Sequence, residues 1–357
     1  MGGVVDLVGV GTSHRCAVTV VVPLFNGEKF IGEALTSIEQ QSLRPVEVLV
    51  VDDGSSDGGP RVVREHPIGA RLIEQSHLGV AVARNRGLSA VRTPWVAFLD
   101  QDDLWHPSRL ERLCAWVEAN PDEKLVATTE VGFSTVEERA ALRATDPLVG
   151  SWAGVLVPEQ TAFHELCETV DVEGGNGVEH FDHQAILEGP ITKTTSFLAD
   201  AELLRLAGGF APHAPAMDDY WLLVNAARLR PLVRVNQPTV FYRIHLGATS
   251  RSTKLALPFL SSAVALRLGG GVLPIGEGLE GGLTGPLHQH LLDELLRSAD
   301  FRDPRVREAA RHLAGLLWPG GRRIDFAKAH LRTRMPWLAA ARRGAREWIR
   351  RLGGETH

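Results

Sequence analysis

The sequence predicts an α/β fold: a doubly wound, mostly parallel sheet with helices on both faces, plus a helical C-terminal region. Three observations predict it. Apolar, β-branched runs alternate with helix-period segments through the first 120 residues, which is the pattern of strand–helix–strand units. The first two runs, AVTVVVPL and VEVLVVDDG, are apolar nearly throughout rather than alternating, as in strands buried on both faces. Three runs end in polar loops, PLFNG, VDDGSSDG and LDQDD. In open α/β sheets such loops at the carboxyl ends of strands open on one ligand crevice.

Residues 17–24 form the first strand. In FNGEKFIGEALTSIEQQS, Asn26-Gly27 makes a turn, and Ile31, Leu35 and Ile38 recur at helical spacing. VEVLVVDDGSSDG is a second strand and its loop, GPRVVREH a short helix, and ARLIEQ a third strand. VAVARNRGLSAV is helical, with Gly79 before it and Gly87 inside it. TPWVAFLDQDD is a fourth strand, and HPSRLERLCAWVEAN a helix that Pro107-Ser108 starts and that stops before Pro121. Beyond this the pattern weakens. KLVATTEVGF reads as a strand, and ITKTTSFLADAELLRLAGGF as a strand and then a helix closed by Gly208-Gly209. AMDDYWLLVNAARLR is a helix with two acids in its first turn, where the helix dipole favours them, and RPLVRVNQPTVFYRIH supplies further strands.

The totals bound the function. The 357 residues, 44% hydrophobic and 23% charged, can bury a large core. A net charge of -5 points away from nucleic acid as a partner. Cys16, Cys114 and Cys167 are widely spaced with no CxxC, which argues against a disulfide framework and for a reducing cytoplasm. The N-terminal MGGVVDLVGVGTSHR lacks the basic start of a signal peptide. No stretch reaches the roughly 18 uninterrupted apolar residues of a membrane span.

Chemistry concentrates in a few segments. VDDGSS reads either as a strand end that caps a helix or as a carboxylate placed to accept from a nucleobase N–H, with Phe25 of PLFN beside that base. In LDQDD, Asp100, Asp102 and Asp103 end a buried strand, and their mutual repulsion would raise their pKa values. A divalent cation with hard oxygen ligands, Mg²⁺ or Mn²⁺, would relieve that repulsion and bridge to phosphates. Asp218-Asp219 reads as helix-start acids or as a general base above the crevice. His245 is either structural or a ligand.

Together these residues resemble the inverting family 2 glycosyltransferases of the GT-A fold. Five segments match in order: VTVVVPLFNGEKFIGEALTSIEQQS, VEVLVVDDGSSDG, LGVAVARNRGLSAVRTPWVAFLDQDD, GPITKTTSFLADAELLRLAGGF, and MDDYWLLVNAARL followed by YRIHLGATSRS. The resemblance implies a 1–16 extension and a glycosyltransferase domain over 17–250. That domain has a nucleotide-binding half, 17–120, and an acceptor-binding half, 121–250; a helical region over 251–357 comes after it. The resemblance also implies that Pro23, Phe25 and Asn26 contact the nucleobase and that Asp53, with Asp52 beside it, pairs with it. Arg84 and Asn85 lie near the sugar-diphosphate. Asp100 faces the donor, with Gln101 in the same nucleotide-sugar loop. Asp102 ligates the cation, joined by His245. Asp219, preceded by Asp218, is the base that lets an acceptor oxygen displace the nucleoside diphosphate. The donor is a nucleoside-diphosphate sugar, UDP-linked by default; the acceptor is a saccharide, lipid-linked, peptidic or small-molecule nucleophile. The chain departs from the family in reading DDYW, with Trp221 close to the acids, and segment 133–190 matches nothing in the pattern.

Rival readings are a nucleotidyltransferase, which should carry a Gly-rich basic loop where PLFNGEKF stands, and a catalytically silent nucleotide-sugar-binding protein. The C-terminal LRTRMPWLAAARRGAREWIRRL, with seven arginines against one glutamate, brings Leu338, Ala341, Ala345, Trp348 and Leu352 to one helical face. It is read equally as a helix docked on the protein and as one lying on an anionic membrane surface.

Overall fold

The computed structural model describes residues 16–145, 155–158, 161–172, 177–187, 191–212 and 218–247. The C-terminal region with its basic segment, and nearly all of the N-terminal extension, lie outside the described residues. So do residues 146–154, 159–160, 173–176, 188–190 and 213–217.

The first strands and helices form where the apolar runs and helical spacings place them. β1 (Val18–Leu24), β2 (Glu47–Asp52), β3 (Arg71–Glu74) and β4 (Trp95–Phe98) pair in parallel in the order β3-β2-β1-β4. Every residue of β1 is buried. Its even-numbered side chains, Val18, Val20, Val22 and Leu24, pack with α1 (Ile31–Glu39), α2 (Gly59–Glu65) and α4 (Arg109–Ala119). On the opposite face, α3 (Val80–Ala90) comes so close that a Cβ on Gly87 would meet Val21 Cγ1 at 2.3 Å. Alternation along the strand thus puts helices on both faces, and Gly87 is the residue that permits the approach.

The second half of the sheet mixes directions. β5 (Leu104–Trp105), β6 (Leu125–Thr135), β9 (Phe197–Asp200) and β10 (Leu232–Arg243) extend the order as β4-β9-β6-β10-β5. β9 runs antiparallel to both β4 and β6, whereas β6 and β10 are parallel. β7 (Val155–Val157) and β8 (Val178–Phe181) add to β6 and β10. The helices α5 (Val136–Thr145) and α6 (Phe163–Glu168) fall in segment 133–190, where neither helical period nor family motif was legible. α8 (Ala201–Leu206) is capped by Asp200, whose carboxylate accepts from the Glu202 and Leu203 amides. It ends at Gly208 and Gly209, both with positive φ, as the paired glycines predict.

Cys16 and Cys114 form a disulfide with Cα atoms 5.5 Å apart. This corrects the expectation drawn from cysteine spacing, and the inference of a reducing compartment loses that support. A separation of 98 residues hides the pairing in the sequence; the sheet brings the start of β1 beneath α4.

The described residues group into two compact units. The first comprises the sheet and the helices around it. The second includes α7 (His183–Leu187) and the first seven residues of α9 (Asp218–Ala227).

Candidate functional site

The carboxyl ends of β1, β2 and β4 meet in one rim, with Leu24 opposite Asp52 and Val21 opposite Phe98. At the β1–β2 end the chain is tied down by its own polar groups. Asn26, at φ 47°, accepts through Oδ1 from the Ser56 amide at 2.8 Å, and its own amide donates to Ser55 Oγ at 2.9 Å. Asn tolerates that left-handed conformation better than other side chains carrying a Cβ. Asp52 accepts from the Ser55 amide at 3.2 Å. Asp53 is 2% exposed and accepts four hydrogen bonds. Oδ1 takes Gln75 Nε2 at 2.7 Å and the Leu78 amide at 2.8 Å; Oδ2 takes the Gly79 amide at 2.8 Å and faces His77 Nδ1 at 2.9 Å. Burial by itself would raise this carboxyl. The Leu78 amide, the Gln75 side chain, the Gly79 amide and His77 outweigh it and hold Asp53 below the usual range. Phe25, 39% exposed, stacks on the His77 ring with centroids 4.0 Å apart. Pro23 lies in β1, paired with Val51.

The LDQDD loop is held differently. Gln101 reaches back to β1, accepting from the Phe25 amide at 2.8 Å and donating to the Phe25 carbonyl at 3.2 Å. Asp100 Oδ1 accepts from Arg84 Nη2 at 2.6 Å, and the Arg84 guanidinium lies over the Phe210 ring. Asp102 Oδ2 faces His245 Nε2 at 2.9 Å. Asp103 is buried, accepts from the Arg243 amide at 3.0 Å, and is pushed well above the usual carboxyl range by burial and then by the charges of Asp102 and Asp100. The three acids expected to repel one another therefore have three different protein partners.

Asn85 is engaged elsewhere: its amide exchanges two hydrogen bonds with the Phe210 backbone, at 2.7 and 2.8 Å. A Cβ on Gly209 would meet its Oδ1 at 2.5 Å, so the glycine makes room for this clamp. Asp218 and Asp219 open α9 in the second unit; Asp218 is buried, and Asp219 is partly exposed with Oδ1 accepting from the Tyr220 amide at 2.7 Å. Sequence reasoning missed Arg243. It donates to the Asp102 carbonyl at 3.0 Å and to Glu33, lies 3.6 Å from Glu138, and covers the Phe30 and Phe133 rings. A charged residue two before His245 in FYRIH was the available signal. Nearby, a cleft of about 470 Å³ is lined by Phe30, Glu33, Phe133, Glu138, Phe163 and Arg243, among others.

A carboxylate oxygen and an imidazole nitrogen, as in Asp102 and His245, are donor types that a divalent cation such as Mn²⁺ accepts; in this structure the two atoms meet each other at hydrogen-bond distance, 2.9 Å. Among the described residues no group of three or more His, Cys, Asp or Glu side chains could hold a metal. Phosphate and water oxygens would complete the coordination, as hard cations commonly require.

Residues 19–160 match the model of "Glycosyl transferase family 2". "Putative glycosyltransferase EpsH" of Bacillus subtilis is 32% identical over 100 residues, covering 27% of this chain and 29% of that protein. "Glycosyltransferase GlyA" of Streptococcus pneumoniae is 36% identical over 101 residues, covering 27% of this chain and 14% of that protein. The matched region thus spans less than a third of either relative. Among solved structures, S. aureus TarS 1-349 in complex with UDP-GlcNAc aligns with a TM-score of 0.55 at 15% identity, covering 85% of this chain and 82% of that one. The mannosyltransferase PcManGT of Pyrobaculum calidifontis, in complex with GDP-Man and Mn2+, aligns with a TM-score of 0.50 at 21% identity, covering 94% and 81%. The fold is the GT-A fold expected from the sequence. No helix among the described residues is long and apolar enough to cross a membrane.

Proposed function

We propose that the protein, whose residues 19–160 match the model of "Glycosyl transferase family 2", is an inverting glycosyltransferase. It moves a sugar from a nucleoside-diphosphate sugar, UDP-linked by preference, to an acceptor hydroxyl. The observation that carries the proposal is the pair of contacts at the end of β4: Arg84 with Asp100 at 2.6 Å and Asp102 with His245 at 2.9 Å. They bring an arginine of α3 and a histidine that follows β10 onto two carboxylates of one short loop. The ligands named for TarS and PcManGT, UDP-GlcNAc and GDP-Man with Mn2+, support the donor class and the cation.

In this reading the nucleobase lies beside Phe25 over the β1–β2 loop, near Asp52 and Asp53. The Asp53 carboxylate is saturated by the 75–79 loop, so it shapes that pocket and meets the base only if one of those donors gives way. Asp102 and His245 would hold Mn²⁺ or Mg²⁺, which when bound neutralises charge on the diphosphate. Arg84 adds a fixed positive charge there. Asp219 takes the proton from the acceptor oxygen. That oxygen forms its bond to the anomeric carbon as the bond to the diphosphate breaks on the opposite face, which inverts the centre. Gln101 and Asn85 position the loop and helix that carry these groups. Segment 133–190 supplies acceptor contacts in this reading. The basic C-terminal segment would bring the protein to an anionic membrane surface if the acceptor is lipid-linked; flotation with anionic liposomes, with and without residues 331–352, tests that.

A thermal-shift series with UDP, GDP, dTDP and CMP, each with Mn²⁺ or EDTA, tests the donor site. A metal-dependent rise for one nucleotide is expected; no rise with any nucleotide would favour a silent protein. Asp219→Asn should cut release of nucleoside diphosphate from the donor by about 10²–10⁴-fold, the usual worth of a general base, with nucleotide affinity unchanged. Equal turnover would remove Asp219 from the mechanism.

A further inference from the structure

The strand order carries the site beyond the LDQDD loop. β9 is antiparallel to β4, so its amino end lies beside the carboxyl end of β4, and β6, paired with β9 over Leu125–Ala127, continues past that amino end to Glu130. At that place Lys193 Nζ donates to Glu130 Oε1 at 2.7 Å, and Ser196 Oγ donates to Glu130 Oε2 at 3.3 Å. The Lys193 ammonium also stands over the Tyr242 ring, 4.7 Å from its centroid, and acts on the Asp103 carboxyl. Ser196 is fully buried, whereas the Lys193 and Glu130 side chains are 41% and 24% exposed. The pair is fixed from beneath and open from above.

We propose that the Lys193–Glu130 pair is the subsite that grips the hydroxyls of the donor's glycosyl group. This rests on the glycosyltransferase reading above. The chemistry selects the ligand. The pair sets a carboxylate and an ammonium side by side. It suits a neutral group that both donates and accepts hydrogen bonds, and vicinal sugar hydroxyls do both: one donates to the carboxylate while its neighbour accepts from the ammonium. Position selects the part of the donor. Along β2, β1 and β4 the rim carries the base side and then the diphosphate side, and β6 lies two strands beyond β4, about 10 Å on. In that direction the glycosyl group is the next part of the donor after the diphosphate.

The test is isothermal titration of the full chain, with Mn²⁺, against UDP, GDP, UDP-glucose, UDP-galactose, UDP-N-acetylglucosamine and GDP-mannose. At least one nucleotide sugar is expected to bind more tightly than its parent nucleoside diphosphate. In Glu130→Gln and Lys193→Met that gain should fall about tenfold, the worth of one charge-assisted hydrogen bond, with the parent nucleotide's affinity unchanged; Lys193→Arg should retain most of it. Equal gains in wild type and variants overturn the subsite, as does a wild type that binds nucleotides but gains nothing from any sugar. Variants that lose the parent nucleotide as well assign the pair a structural role and also overturn it. A wild type that binds no nucleotide overturns the glycosyltransferase reading itself, which is a separate and recognisable result.

Discussion

The two acidic loops of the rim are built on opposite principles. At the end of β2, Asp53 is closed off by two backbone amides and two side chains of the 75–79 loop. At the end of β4, Asp100 and Asp102 are partly exposed, and side chains, Arg84 and His245, meet their carboxylates. Backbone donors cannot leave without unfolding the loop, whereas a side chain can rotate away when a ligand arrives. The first loop is therefore a preformed wall, and the second is a set of contacts ready to be exchanged. Carboxylates look alike in a sequence, and it is their donors that separate scaffold from binding group.

Variants and solution conditions can put that contrast at risk. The largest effect should leave it untouched. Reducing the Cys16–Cys114 bridge, which closes a loop of 98 residues, should lower stability by about 4–5 kcal/mol on chain-entropy grounds, read by urea unfolding. Nucleotide affinity should hold, because Cys16 precedes β1 and the rim lies at the other end of that strand. Lost affinity at full folding would mean that the two ends of β1 are coupled.

Asp53→Ala comes next, at about 2–4 kcal/mol of stability, because it strands the Leu78 and Gly79 amides. Asp102→Asn should cost less than about 1 kcal/mol of stability, as expected for a partly exposed ion pair. It should instead lower Mn²⁺-dependent nucleotide affinity about tenfold or more. Equal stability losses in the two variants would erase the distinction between wall and exchangeable contact.

The pH dependence derives from the direction of one shift. Asp53 is held below its ordinary value in the folded protein. Its contribution is thus complete above the unfolded carboxylate value near 4 and is lost as pH falls through the lower folded value. Wild type should lose more stability than Asp53→Asn between about pH 4 and pH 2, measured by denaturant titration. Parallel curves would mean that the four contacts on Asp53 carry no net free energy.

The smallest effect belongs to Gln101, which ties the β4 loop to the Phe25 backbone just after β1. Gln101→Ala should cost about 1 kcal/mol of stability and weaken nucleotide binding only a few-fold. A larger loss of binding than of stability would place Gln101 on the ligand itself.

Apart from the two-residue β5, the strands and helices through Ala119, the polar loops at their ends, and the acids of LDQDD were legible in the chain. Those features are local: two-residue and 3.6-residue periods, turn residues and caps act between neighbours. The glycine stop of α8 was legible for the same reason, since paired glycines after an apolar helix have one common use. How the acids are held was not legible. Arg243 reaches Asp102 and Asp103 across some 140 residues of chain, and His245 reaches Asp102 across 143. Only the folded chain shows that Cys16 meets Cys114, that β9 inserts antiparallel between β4 and β6, and that Lys193 meets Glu130. Each is a pairing between residues far apart in sequence, fixed by strand order and register, and none leaves a periodic trace along the chain.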